Sequence, residues 1–257
     1  YSHKNGVPSL NGAINEDSPQ VAVELEKAGY QTAVFGKWHL TSQPKGFDTY
    51  KVTRGQGSWF NPTFYTQTGQ WYGKKKKRER VPGEKHTGYC SDVYTDQALQ
   101  WLKARDAKKP FCMMLHFKAP HHSYEYPERW KDYLKDTLIP EPPSLHEDVE
   151  KTSPLLKGVH TWHMVNKNGY FGRHEKDEEP PMWPHDGSVR SKTSAAYQHM
   201  IHKYLRAVGA VDDNIKRVID YLEKERIKDD TLIIYTSDQG YWLGQHGLYD
   251  KRLILEG

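Results

Sequence analysis

Three stretches of this 257-residue chain concentrate side chains suited to handling an anionic ester. They are Gly36-Lys37-Trp38-His39-Leu40, Lys118-Ala119-Pro120-His121-His122, and Ser237-Asp238-Gln239-Gly240 with the Gly244-Gln245-His246-Gly247 and Asp250-Lys251-Arg252 that follow it. The ammonium groups of Lys37, Lys118 and Lys251 supply positive charge for a sulfate or phosphate oxyanion. His39 and His121 titrate near neutrality, so they suit a general base and a general acid. Asp238 and Gln239 offer oxygen donors, which a hard cation such as Ca²⁺ or Mg²⁺ takes. No close His/Cys cluster accompanies them, which argues against zinc. The combination is that of a metal-assisted hydrolase acting on a sulfate or phosphate ester. Each stretch alone has an ordinary explanation. A Lys-x-His pair arises incidentally, and Asp-Gln-Gly is a common Asx-capped turn. His116 reads as a structural strand residue, His122 as a neighbour of His121, and Met113 and Met114 as core filler. Their joint occurrence is what points to one polar site.

Periodicity predicts the elements that would position them. Ser18-Pro19 opens a helix with Ser18 as N-cap, Val21, Leu25 and Ala28 on one face, and Gly29 at its end. Residues 31–35 read as a short buried strand and Phe111–Phe117 as a central one. A helix is expected from Asp92 to Ala104, with Leu99 and Leu102 inward. Residues 41–88 show no clear period, and 119–193 are loop-rich, broken by Pro140-Glu141-Pro142-Pro143, with short helical pieces near 128–134. From about Ser194 to Glu225 a long helix carries an inner stripe of Tyr197, Ile201, Leu205, Val208, Val211, Ile215, Val218 and Leu222, with Gly209 allowing a break. Thr231–Thr236 is the clearest strand of all. Helices alternating with short apolar strands mean an α/β fold with a largely parallel central sheet covered on both faces. In such sheets ligands bind beyond the carboxyl ends of the strands. Each of the three stretches follows one of these strands.

Composition sets limits. There are 37 Lys+Arg, 33 Asp+Glu and a net charge of +4, too mild to argue for nucleic acid. No apolar run is long enough for a transmembrane helix, so no membrane partner is expected. Two cysteines make neither a disulfide framework nor a four-cysteine zinc site. Apolar residues make up only 36%, yet 17 Tyr and 8 Trp argue against disorder. The polarity therefore sits in long loops on a real core. The basic run at 74–78 reads as a solvated loop tip or a patch for an acidic ligand.

At these residues the sequence resembles the sulfatase family, whose fold is like that of alkaline phosphatase. Ala28-Gly29-Tyr30-Gln31-Thr32 followed by Gly36-Lys37-Trp38-His39-Leu40 is similar to the family's second signature. Lys118-Ala119-Pro120-His121 is similar to its Pro-His motif, and Val211-Asp212-Asp213 to a structural feature of its long helix. The stretch from Ser237 to Arg252 is similar to the metal and sulfate end of the site. The resemblance implies a three-layer α/β/α sandwich, incomplete at both ends of this chain. It implies that Lys37 and Lys251 bind sulfate oxygens and that His121 protonates the leaving alcohol. His39 would help release sulfate from the nucleophile. Asp238 and Gln239 would ligate Ca²⁺, with Mg²⁺ the lesser alternative, Gln239 standing where many members carry Asn. His246 and Lys118 would touch the substrate.

The family's nucleophile is a formylglycine made in a C/S-x-P-S-R motif, which this chain lacks. Cys90 and Cys112 stand outside that context and read as structural. Tyr1-Ser2-His3-Lys4-Asn5-Gly6-Val7 resembles the segment just after the motif. The chain is therefore expected to be a partial catalytic domain over 1–257, its nucleophile and the family's Asp-Asp metal pair lying upstream. On its own it is expected to be inactive. The segment Gly55-Gln56-Gly57-Ser58-Trp59-Phe60-Asn61-Pro62 looks most like bacterial sulfatases acting on glycans. N-acetylglucosamine-6-sulfate and related glycosaminoglycan or mucin sulfates are the nearest substrates by that resemblance, and the compartment is periplasmic or secreted. Trp59, Trp71 and Tyr72 either stack on sugar rings or pack the long loop. The alternatives are a phosphodiester or phosphonate monoester hydrolase on the same fold and a non-catalytic binder of sulfated glycans.

Overall fold

A computed structural model describes residues 2–8, 12–68, 83–148, 151, 157, 163–165, 168–177 and 179–251. Trp71, Tyr72, the basic run 74–78, Arg252 and the closing apolar run lie outside the described residues, as does Tyr1. The chain divides into two compact units, one formed by 1–121 and 209–231, the other by 122–208 and 232–257.

The first unit begins with a short helix α1 (Ser2–Asn5) and a second, α2 (Val21–Lys27). The Ser18-Pro19 start is corrected. The N-cap is Gln20, extended at φ −126° and without a side-chain cap, so the helix begins two residues beyond Pro19. Then comes β1 (Gln31–Trp38), three residues longer than its apolar run suggests, with Lys37 inside the strand rather than after it. A strand the sequence reading missed, β2 (Thr49–Arg54), pairs with β1 in parallel from Ala33↔Thr49 to Trp38↔Arg54. A reciprocal latch sets that register: the Thr32 amide donates to Asp48 Oδ2 (2.9 Å) and the Asp48 amide to Thr32 Oγ1 (3.0 Å). β3 (Thr63–Phe64) and β4 (Glu84–Lys85) form a small antiparallel pair. Helix α3 (Cys90–Ala104) and β5 (Phe111–His116) follow, β5 pairing with β1 in parallel from Gln31↔Phe111 to Gly36↔His116.

The order β2-β1-β5 is a parallel three-stranded sheet with both faces covered. Alternation along the strands splits its side chains. Val34, Tyr50 and Val52 pack with Phe47, Tyr65 and Met114 on one face. Ala33 and Phe35 pack with Met113, Leu115 and, from α3, Ala98 and Trp101 on the other. Burying a side chain such as Phe35 is worth roughly 1.5–3 kcal/mol.

In the second unit the order is a short helix α4 (Tyr170–His174), a long helix α5 (Val189–Lys224) and an antiparallel pair β6 (Trp242–Leu243) and β7 (Tyr249–Asp250). The first half of α5, to Val208, belongs to this unit and the remainder to the other. The helix runs through Gly209 without a break. The inner stripe holds at Tyr197, Ile201, Val211 and Leu222, but Val208 is exposed. The core joins Met200 and Ile201 to Leu145, Met164, Tyr170 and Tyr249.

The expected strand Thr231–Thr236 is not formed. Its residues are irregular, and Leu232, Ile234 and Tyr235 are each three-quarters or more exposed. An apolar run favours a strand only where a ladder is available. Among the described residues none pairs with it.

Candidate active site

The first unit holds Lys37, His39, Lys118 and His121 at the carboxyl ends of β1 and β5. Parallel pairing of Gly36 with His116 keeps those ends in step. It demands a glycine: a Cβ at Gly36, whose φ is +107°, would stand 2.0 Å from the His116 carbonyl oxygen. Past the end of β2, Gln56 joins the two lysines. Lys37 Nζ donates to Gln56 Oε1 at 3.0 Å, and Lys118 Nζ donates to the Gln56 main-chain oxygen at 2.8 Å. Lys118 is only 6% exposed and sits 4.7 Å from the centroid of the Trp59 ring. Burial lowers its pKa. Its amine sits in a poorly solvated place, where a charge-assisted hydrogen bond is strong. His39 and His121 are half-buried, and the His121 amide donates to the Lys118 carbonyl at 3.1 Å.

His116 stacks on Trp38 with ring planes 8° apart, and burial lowers its pKa, which fits the structural reading. Cys90 is buried and its thiol is pushed up to about 12 by desolvation. Burial raises Cys112 as well. Neither thiol is a ready nucleophile.

The second unit holds Asp238, Gln239, His246 and Lys251. Lys251 Nζ lies 3.9 Å from Asp238 Oδ2, while Asp238 is 84% exposed. His246 stands in the left-handed region at φ 56°; its Nδ1 is 2.7 Å from Glu147 Oε2 and its amide donates to Ser144 Oγ. Asp238 and Gln239 are oxygen donors of the kind a hard cation takes, but they are two of the six to eight that Ca²⁺ gathers. Among the described residues no group of three acidic, histidine or cysteine side chains completes a metal shell. The donor chemistry fits the ion; the donor number does not.

Sequence reasoning missed two sets of residues. Gln56 stood in the quoted 55–62 segment, but nothing local shows that it reaches two strands. His174 and Asp177 stood in a stretch read as loop. His174 Nδ1 is 2.8 Å from Asp177 Oδ2, and its Nε2 is 3.2 Å from His122 Nε2.

The family model described as Sulfatase matches residues 1–254. The chain belongs to the sulfatase family. An N-acetylglucosamine-6-O-sulfatase of Bacteroides thetaiotaomicron is 34% identical, the alignment covering 100% of this chain and 50% of that protein. The structure of BT4656 in complex with its substrate D-glucosamine-2-N,6-O-disulfate is similar with a TM-score of 0.82 at 30% identity, covering 100% of this chain and 56% of that one. A phosphonate monoester hydrolase from Silicibacter pomeroyi has the same fold, with a TM-score of 0.62 at 20% identity over 99% of this chain and 54% of that one. The parallel α/β architecture is thus the alkaline-phosphatase-like one expected of a sulfatase. This sulfatase-family chain spans about half the length of the curated relatives it matches. No helix among its described residues is long and apolar enough to cross a membrane.

Proposed function

We propose that the full-length protein carrying this chain hydrolyses a sulfate ester of a carbohydrate. The observation that carries this reading is the pair Lys37 and Lys118, bridged through Gln56 at the ends of two parallel strands. Two fixed ammonium groups can share the charge of one sulfate and stabilise what develops on its oxygens as the ester bond breaks. In the second unit, the resemblance to sulfatases assigns Lys251 to sulfate oxygens and His246 to the substrate. His121 gives a proton to the leaving sugar oxygen, and His39 takes one when sulfate is released. The family's formylglycine would supply the attacking oxygen. Asp238 and Gln239 would be two of the residues holding Ca²⁺, which would offset the negative charge of the sulfate. The substrate is a sulfated glucosamine of glycosaminoglycan or mucin type, N-acetylglucosamine-6-sulfate first among candidates, in keeping with the relatives' substrates. Such glycans are met outside the cytoplasm, so the protein acts in the periplasm or is secreted.

The test compares kcat/KM of the full-length protein on N-acetylglucosamine-6-sulfate and on an aryl phosphonate monoester. Sulfate release from the sugar in clear preference is expected. Turnover of the phosphonate with none of any sulfate ester would overturn the reading, as would binding of the sulfated sugar without turnover.

A further inference from the structure

The sequence allows Trp59 two duties, stacking on a sugar ring or packing the loop. Its surroundings point to a third. Lys118 Nζ stands over the ring, 4.7 Å from the centroid. The loop that carries the ring is tied down on both sides. The Cys90 amide, where α3 begins, donates to the Trp59 carbonyl at 2.7 Å. Upstream, the Gly55 amide donates to the Trp38 carbonyl at 3.1 Å, at the end of β1. The ring itself lies nearly parallel to that of Tyr89, with 15° between the planes and centroids 6.4 Å apart.

Lys118 has need of such a neighbour. It is 6% exposed, and among the described residues no carboxylate pairs with it. A buried ammonium is costly unless other groups replace the water it has lost. The Gln56 carbonyl replaces one water, accepting from Nζ at 2.8 Å. The negative face of an indole attracts a cation and has little hold on a neutral amine. Burial lowers the Lys118 pKa, and Cys90 on α3 opposes this as a thiolate, a form that burial of the thiol puts off to about 12. Lys37, on the side-chain oxygen of the same Gln56, is itself basic and gives no compensation. The carbonyl and the ring, both on one loop, are therefore what stands against neutralisation of the lysine.

We propose that Trp59 is a positioning residue for Lys118: its ring face, together with the Gln56 carbonyl, holds the lysine as a cation just past the end of β5. The face used in this way is not a platform for a sugar. The use of that cation on a sulfate rests on the sulfatase reading above, whereas the charge and its cause do not.

The experiment is ¹H–¹³C spectroscopy of the full-length protein labelled at lysine Cε, with the Lys118 signal assigned through Lys118→Arg and followed against pH. In wild type the Lys118 Hε signals should lie upfield of those of the other lysines, displaced by the ring current of Trp59, and should titrate above neutrality. Trp59→Leu keeps an apolar cover and removes the ring. It should return the signals toward the ordinary lysine position and lower the Lys118 midpoint by about one pH unit, a roughly tenfold loss of preference for the charged form. Trp59→Phe keeps a ring face and should restore most of both effects. Wild-type Hε signals at the ordinary position would overturn the proposal, as would a wild-type midpoint below neutrality or a Trp59→Leu midpoint at or above that of wild type. The wild-type spectrum decides even where Trp59→Leu does not fold. Every signal is read without substrate, so turnover of phosphonates in place of sulfates would sink the substrate reading and leave this inference standing.

Discussion

Gln56 divides its labour between main chain and side chain. Lys37 uses the side-chain amide oxygen and Lys118 the carbonyl of the same residue. Gln56→Ala should therefore detach Lys37 and leave Lys118 in place. The expected result is a drop of about tenfold in kcat/KM on a sulfated sugar, the scale of one charge-assisted hydrogen bond. Steady-state kinetics of the full-length variant checks it. Buried histidines make a second prediction. His199 is pushed down to about 4, foremost by burial and then by Lys203, and burial lowers His174 and His116 too. Their folded values lie below the unfolded value of roughly 6.5. Above that pH both states leave them neutral and they contribute nothing to the pH dependence. As pH falls from about 6.5 toward 4 the unfolded chain takes up protons first. Stability is lost by about 1.4 kcal/mol per pH unit for each such group within its window. His199→Gln, which keeps an acceptor for Tyr170 and a donor for Pro180, should flatten the acid limb of a Tm-against-pH curve. An unchanged limb would refute the assignment. The place of Lys37, His39, Lys118 and His121 at the ends of β1 and β5 was legible because each follows an apolar run at a short, fixed offset. The reach of Gln56 to Lys37 and Lys118 was not, because it joins segments far apart in sequence.

Among the elements, β1 and β5 announced themselves as runs bounded by turn residues. β2 did not: Tyr50 and Val52 point inward from a strand whose intervening Lys51 is polar, and six residues of alternation are easily lost between glycines and aromatics. The error at 231–236 was of the opposite kind. Composition there is that of a strand, but pairing, which composition cannot show, is what makes one. The parallel register of β1 and β5 hangs on Gly36. Gly36→Ala would force a methyl group onto the His116 carbonyl oxygen and place an L side chain at a φ of +107°. The combined overpacking and backbone strain should cost roughly 3 kcal/mol or more. A fall in the urea midpoint, or failure to recover soluble protein, is the expected outcome; a midpoint equal to wild type would show that the strands can part there without loss.

The molecule as a whole has a sulfatase-family fold. On the proposed reading Asp238 and Gln239 would give two oxygens to Ca²⁺, which takes six to eight. Dialysis of the full-length protein against a chelator should abolish sulfate release, and Ca²⁺ should restore it better than Mg²⁺. The 257-residue chain by itself should show no multiple turnover of an aryl sulfate at any metal concentration, since desolvation raises the pKa of both thiols, the buried Cys90 and the half-buried Cys112. Steady release by this polypeptide would contradict that.

The exposed run Leu232-Ile233-Ile234-Tyr235 has a colloidal consequence. It is uncharged, free of proline, rich in β-branched and aromatic side chains, and turned to water, the profile of a segment that seeks another of its kind. A preparation of the chain alone should grow in light-scattering radius as ammonium sulfate is added, because excluded salts strengthen apolar association. Ile234→Lys should suppress that growth while leaving the melting curve in place. An oligomer found for the isolated chain under such conditions would report the stickiness of four residues and not a quaternary structure.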